Sequence, residues 1–462
     1  MMLSNKITII GVVSFLFAIA ASIYFYQERT VFLDISFHLF YILKDQSFAI
    51  QNYRFAAFFT QLFPLFGSSI GLSLKSISIL YSVSFVILPA FVFGVVVGWY
   101  KNYKVGAAYL IYLLLIVTHT FFWIQSELPQ GMAFVFLFIA TLEYLYHREY
   151  VKKWAYTIIL LLLILIVFSH PLVVFPIGFV GGYYFIHYKN KKSLTIKVFG
   201  LFAVIYFVKS HWFKTGYDSS AMGTVFNYTF HWSEFIRLIS LKRFVEFVTH
   251  DYYWWFICFS ILQVWYVYHK EYLKGIWVTL FSFLLIAIIS ITYPNGAEQF
   301  YLENQYQLLV FFIVIPLVND FFEKYNYRWL IYFLVVIQVF FLMRIWKVST
   351  LYQSRLTIYK KILATTANDP NKKIIYPISE FPKETLLMDW ASSYEFWLLS
   401  TVETGETRSI IIAYQEDEFD YALSNNHCFI TKWGIIDYNE LNAPYFIFKD
   451  STFYVKNSSI GL

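Results

Sequence analysis

Asp34 and His38 stand four residues apart in an otherwise apolar stretch that opens Val31-Phe32-Leu33-Asp34-Ile35. On a helix that spacing sets a carboxylate and an imidazole on one face. A carboxylate so placed can take the proton of an attacking hydroxyl as a new bond forms. A helix cap or a solvated loop charge uses the same residue type. Glu127 stands in Trp123-Ile124-Gln125-Ser126-Glu127-Leu128-Pro129-Gln130-Gly131, at the start of an apolar run. There an acid also stabilises a helix N-terminus through the dipole. His170 lies between two short apolar runs, in Phe168-Ser169-His170-Pro171-Leu172, and suits contact with a phosphate or the ordering of a carboxylate. Arg54, Arg237, Lys242 and Arg243 are cations able to hold an anionic group, arginine in bidentate fashion. Anchoring to anionic lipid headgroups uses the same residues. Glu298, Gln299 and Glu303 share a short segment with Tyr293 and Asn295. Carboxylates, amides and aromatic faces are the groups that hold sugars, and a solvated loop has the same makeup. The expected catalytic residues are Asp34 and Glu127. The expected substrate-binding residues are His38, Arg54, His170, Arg237, Lys242, Arg243, Glu298 and Glu303.

Asp34, His38, Glu127 and His170 offer hard and imidazole ligands, but no spacing motif joins them. No obligatory metal and no other cofactor is expected. The chain has no Walker A segment, no GxGxxG after a strand, no HExxH and no CxxC. Cys258 and Cys428 imply no disulfide framework. Glu416, Asp417, Glu418 and Asp420 read as a solvated charge run.

The elements that position these residues follow from composition. The chain of 462 residues is 59% hydrophobic, 23% aromatic and 14% charged. Soluble domains carry roughly 25% charge. A cytosolic enzyme, a disordered chain and a disulfide scaffold are excluded, leaving an all-α polytopic membrane protein. Eleven spans are read, at about 7–25, 76–99, 105–123, 128–146, 154–169, 171–187, 195–210, 252–268, 274–293, 305–319 and 329–347. Ala18-Ile19-Ala20 resembles a signal cleavage site, but the apolar run from Ile7 to Tyr24 is long for a signal peptide, so it is kept as a span.

Residues 1–349 carry 25 Lys and Arg against 15 Asp and Glu, and residues 350–462 carry 10 against 14. The basic excess sits in alternate short loops, at Lys101/Lys104, Arg148/Lys152/Lys153, Lys189/Lys191/Lys192/Lys197, Lys270/Lys274 and Lys324/Arg328. This is the mark of cytoplasmic loops and not of nucleic-acid binding. It implies a cytoplasmic N-terminus and an outer tail. Two outer loops are long, 26–75 and 211–251. Tyr53–Phe63 reads as an amphipathic helix along the membrane surface, as does Glu234–Thr249 with Phe235, Leu238, Leu241, Phe244 and Phe247 on one face. The tail 350–462 starts as a helix and continues in short β-type runs, at Lys373–Ile378, Ser409–Tyr414, Phe429–Trp433, Tyr445–Phe448 and Thr452–Val455. A small extracytoplasmic α+β domain is expected after a bundle of residues 1–349. Intramembrane and interfacial ionisable groups are functional candidates by default. Here they gather on the outer side, so the site faces away from the cytoplasm.

This layout resembles the GT-C class of integral-membrane glycosyltransferases over roughly residues 1–210: a first span, a long outer loop with an early acid (Asp34), a surface helix and a hydrophobic bundle. Gln130-Gly131-Met132-Ala133-Phe134 and Phe168-Ser169-His170-Pro171-Leu172 are similar to segments of the EpsG-like exopolysaccharide family. That family often has an Arg before the Gln-Gly pair, where this chain has Pro129. The resemblance implies a polyprenyl-phosphate-linked sugar donor in the bilayer. It implies a glycan, lipid or protein acceptor and inverting transfer on the outer face of a bacterial inner membrane, with Asp34 as base. A polysaccharide polymerase or ligase using lipid-pyrophosphate oligosaccharides is the neighbouring reading. A lipid or sugar transporter is the reading from another class, and it predicts mid-span charges and repeats that the sequence lacks.

Overall fold

The computed structural model describes residues 2–457 apart from 125, 149–152, 326, 368–371, 416, 443 and 449–451. Lys152 and Glu416 lie outside the described residues. Each of the eleven expected spans overlaps a helix at least in part. Seven are long and apolar enough to cross a membrane: Ser4–Tyr24, Leu74–Trp99, Glu127–Tyr146, Lys189–Trp212, Tyr272–Thr292, Gln299–Tyr325 and Tyr327–Thr365. Tyr103–Ile116, Lys153–Val167 and Pro171–His187 are shorter apolar helices, and Tyr253–Tyr268 has 16 residues. Gln299–Tyr325 is the most deeply enclosed of the long helices. Its run Leu308–Ile315 is apolar on every side, as a helix in a core must be.

Three expectations change on folding. The segment read over 105–123 stops as a helix at Ile116. The next backbone N–H groups, of Thr118, His119 and Thr120, donate to the carboxylate of Glu303 instead of to helix carbonyls. The amphipathic stretch 234–249 is broken into Trp232–Phe235 and Ile239–His250, though Phe235, Phe244 and Phe247 are buried as expected. The division at residue 349 falls inside one helix of 39 residues, Tyr327–Thr365.

The polar groups are sorted to the two ends of the bundle. Lys101, Lys104, Arg148 and His187 line one cavity with Glu143 and Glu323. Asp34, His38, Arg54, Glu127 and His170 line another. Helix Glu127–Tyr146 contributes Glu127 to one and Glu143 to the other, and this spacing along the helix sets the two acids about 24 Å apart. At the basic end, buried acids are fully engaged. Asp320 accepts from Tyr183 Oη, Tyr266 Oη and Lys274 Nζ, each at 2.7 Å. Glu143 accepts from Asn102 Nδ2 at 2.6 Å and Tyr184 Oη at 2.5 Å.

The tail is small and mixed. Lys373–Pro377 is the centre of a parallel three-stranded sheet, flanked by Ser409–Ala413 and Val455–Lys456. Cys428–Thr431 and Gly434–Asp437 form an antiparallel hairpin. The run 445–448 forms no strand. Helix Ser392–Thr404 packs against helix Asp34–Asp45, whose Phe40 meets the rings of Tyr394, Trp397, Phe429 and Phe446. Ile35, Leu39, Phe40, Ile42 and Leu43 are all buried, so the helix that carries Asp34 sits between bundle and tail. The junction is ionic at its centre. Arg355 Nη2 meets Glu395 Oε2 at 2.6 Å, with both side chains almost completely buried. Removing one member of such a pair strands the other charge. Arg355→Ala and Glu395→Ala should each lower stability by about 3–5 kcal/mol, and the double variant should cost less than their sum; thermal unfolding in detergent reads this, and additive losses would argue against a coupled pair.

Candidate functional site

Asp34 is the first residue of helix Asp34–Asp45, and Leu33 before it has φ of 44°. That left-handed backbone is costly for a branched side chain and must be held by its surroundings. Leu33 N donates to Glu395 Oε1 at 2.6 Å, which does so. The Asp34 carboxylate itself accepts from Trp123 Nε1 at 2.9 Å. Trp123 follows the segment captured by Glu303, which also takes the hydroxyls of Thr118 and Thr120. Two completely buried carboxylates, Glu395 and Glu303, thus fix the backbone on either side of Asp34. Glu303 is therefore a positioning group inside helix Gln299–Pro316, not a substrate-facing loop acid.

Asp34 opens on a cavity of about 700 Å³ together with His38, Arg54, Trp123, Glu127, His170, Tyr217, Gln305, Trp390 and Trp433. Burial pushes the Asp34 carboxyl up to about 6, the Trp123 bond opposes this, and the neighbouring Glu127 charge adds to it. Such a group is a base at neutral pH with a proton affinity matched to the task.

Helix Glu127–Tyr146 begins at a Ser126 cap, whose Oγ accepts from Leu128 N at 3.3 Å and from Asn304 Nδ2 at 2.9 Å. Glu127 Oε2 meets Arg54 Nη1 at 3.1 Å, and Arg54 Nη2 meets Asp218 Oδ1 at 3.1 Å. Lys209 Nζ lies 3.6 Å from Asp218 Oδ2. Burial pulls the Arg54 guanidinium down, but the charges of Glu127 and Asp218 outweigh it and hold the guanidinium above its ordinary range. Arg54 is thus already neutralised by two acids and is not a free anion holder.

The two histidines of the site are complementary. His38 Nδ1 lies 2.9 Å from the Ala49 carbonyl, which only accepts, so Nδ1 carries the proton and Nε2 is left as an acceptor. His170 Nδ1 accepts from Leu172 N at 3.2 Å, so its Nε2 carries the proton. Burial lowers both imidazoles, that of His170 strongly, and the cations Arg54 and Lys209 lower His170 further. Both are neutral at pH 7. The turn bearing His170 can approach helix Glu127–Tyr146 because position 131 is glycine: a Cβ there would overlap Ser169 Oγ.

Arg237, Lys242, Arg243 and Glu298 do not line this cavity. They lie on or beside the surface segments around Ile239–His250 and Gln299, where Arg243 pairs with Glu246 at 3.2 Å. These three cations and Glu298 were expected from residue type alone, and the fold turns them elsewhere. Among the described residues no three of His, Cys, Asp and Glu are grouped to hold a metal ion.

Arg29 escaped the sequence reading. It is 1% exposed, donates to Ser82 Oγ at 2.8 Å and to the carbonyls of Ser82 and Phe121, and stacks on the Phe121 ring at 4.2 Å. Among the described residues no carboxylate lies within ion-pair distance of it. Burial pulls it down to about 9, which leaves it cationic at pH 7. It lines an apolar cleft with Phe15, Phe85, Leu110, Leu114 and Phe341 that reaches Ile124, Pro129 and Gln130, beside Glu127. An uncompensated buried cation is costly and is a functional candidate for that reason. The only hint in the sequence is an arginine just beyond the first span. Asp218 left no signal at all, since it meets Arg54 across 164 residues.

The chain matches no family model, no curated protein and no solved structure.

Because its native proton affinity is raised, Asp34 favours folding below its unfolded value of 3.8 and opposes it increasingly as pH rises through about 6. Asp34→Asn should therefore melt higher than the wild type at pH 7.5, by an amount corresponding to about 2–3 kcal/mol. That advantage should vanish near pH 4; a variant less stable than the wild type at pH 7.5 would show that the Asp34 charge is compensated.

Proposed function

We propose that this protein is a GT-C-type membrane glycosyltransferase. It moves a sugar from a polyprenyl-phosphate donor to an acceptor hydroxyl on the extracytoplasmic face of a bacterial inner membrane. The N-terminus is cytoplasmic in this reading, because the loops at the Lys101 end are the basic ones. The observation that carries the proposal is Asp34: a carboxylate of raised proton affinity, held from two sides, at the wall of a cavity lined by Trp123 and Glu127, whose near neighbours in the chain, Ile124 and Pro129, line an apolar cleft with a buried cation.

The chemistry follows from those parts. The prenyl chain lies in the cleft and its phosphate meets Arg29, whose charge no acid offsets. The acceptor oxygen attacks the anomeric carbon from the Asp34 side, and Asp34 takes its proton as the carbon–oxygen bond forms. The bond from that carbon to the phosphate oxygen breaks with its electron pair, so the configuration inverts and polyprenyl phosphate departs. Arg29 and the Nε2–H of His170 stabilise the negative charge as it develops there. Glu127 is occupied by Arg54 and shapes the field on Asp34 instead of acting as a second base.

The test is transfer of tritiated sugar from polyprenyl phosphate in proteoliposomes. Asp34→Asn should reduce kcat by at least about 100-fold with the protein still folded, and wild-type kcat should fall tenfold per pH unit below about 6. Full activity in Asp34→Asn would remove the proposed base and the mechanism with it.

A further inference from the structure

The tail reaches into the cavity through two tryptophans that the transfer chemistry does not use. Trp433 stands in the turn between strands Cys428–Thr431 and Gly434–Asp437 and is 66% exposed. A large ring left open at a hairpin tip is informative in a way that a scattered surface leucine is not. It is not loose. It packs on Trp390 at 5.2 Å between ring centres and on Phe37 at 5.6 Å, one turn of helix after Asp34. An interfacial anchor faces lipid, whereas Trp433 and Trp390 both line the cavity that holds Asp34.

The same lining supplies a matching polar group. Gln305 is 5% exposed, lines the same cavity, and has no hydrogen-bond partner among the described residues. Its amide opens on the cavity, where water or a ligand completes its hydrogen bonds. An aromatic face, an amide and a carboxylate base in the lining of one cavity fit a ring that has an apolar C–H face and a rim of hydroxyls. A peptide needs neither that face nor that rim.

We infer that Trp433 and Trp390 form a stacking platform for a pyranose ring, and that the acceptor of the transfer is a glycan. The inference rests on the transferase reading for the word acceptor, but the binding itself does not. The ring lies on Trp433, a hydroxyl bonds to Gln305, and a second hydroxyl is presented to Asp34.

The experiment uses the full chain in nanodiscs, without donor, on an array of neutral and acidic bacterial oligosaccharides, followed by calorimetry on the glycans that are captured. One group of related oligosaccharides should bind. Trp433→Ala should weaken that binding by about 10-fold, or 1.4 kcal/mol, while Trp433→Phe keeps most of it and Gln305→Leu weakens it with the melting temperature unchanged. The exposed hairpin position makes loss of folding in Trp433→Ala easy to detect by the same melting measurement. No captured glycan, or capture that Trp433→Ala leaves unaltered, overturns the inference. Capture without sugar transfer overturns the transferase reading and leaves the platform standing. Transfer without Trp433-dependent capture does the reverse.

Discussion

The carboxylate of Glu395 is the point on which the rest hangs. It is completely buried, and it accepts from Arg355, from Tyr359 Oη at 2.9 Å and from the backbone of Leu33. Those partners come from the long helix Tyr327–Thr365 and from the loop that leads into Asp34. A single acid from the tail therefore clamps the bundle's last helix to the loop after its first. Arg355 adds bonds to the carbonyls of Leu386 and Met388, at 2.9 and 3.1 Å, so the approach to Trp390 is held by the same guanidinium. A buried charge pair contributes little net stability unless every remaining lone pair and proton is used. Here most are, and the return is geometric: the strained Leu33 and the carboxylate after it have one position.

Glu303 plays the same part from within the bundle. By taking three backbone N–H groups in succession it ends helix Tyr103–Ile116 early and turns the chain toward Trp123. The hydrogen bond from Trp123 to Asp34 then closes a loop of constraints that runs from Glu395 to Glu303. Between these fixed points Asp34 faces a cavity and has a raised proton affinity. Acids fixed by several donors hold in place one whose carboxylate lines a cavity, and that access separates scaffold from candidate chemistry. Arg54 is neutralised by Glu127 and Asp218, whereas Arg29, though fully hydrogen-bonded, has no carboxylate within ion-pair distance among the described residues.

Much of the site was legible in the chain. Asp34, His38, Arg54, Glu127 and His170 were singled out by type and place, and they line one cavity. The signal was physical: ionisable groups at the ends of apolar runs are expensive unless they meet one another. The same signal misled for Arg237, Lys242, Arg243 and Glu298, since a charge on an exposed amphipathic surface costs nothing and so carries no information about a partner. Glu303 was misread because a carboxylate near an apparent loop looks solvated until the three amides it binds are brought to it. Trp390 and Trp433 were invisible because a tryptophan in a chain already 23% aromatic is unremarkable by composition.

The sequence by itself determined the apolar helices, the sorting of lysine and arginine into alternate loops and the helix-then-strand order of the tail. These depend on runs of neighbouring residues, where length, periodicity and local charge act within one element. Only the tertiary structure decided which ionisable groups are neutralised and which are left with unmet demand. Arg54 meets Asp218 across 164 residues and Leu33 meets Glu395 across 362. Pairings of that separation arise from packing, so no local pattern encodes them. The reactivity of Asp34 follows from such pairings, because burial and neighbouring charge, not residue type, set how tightly a carboxylate holds its proton.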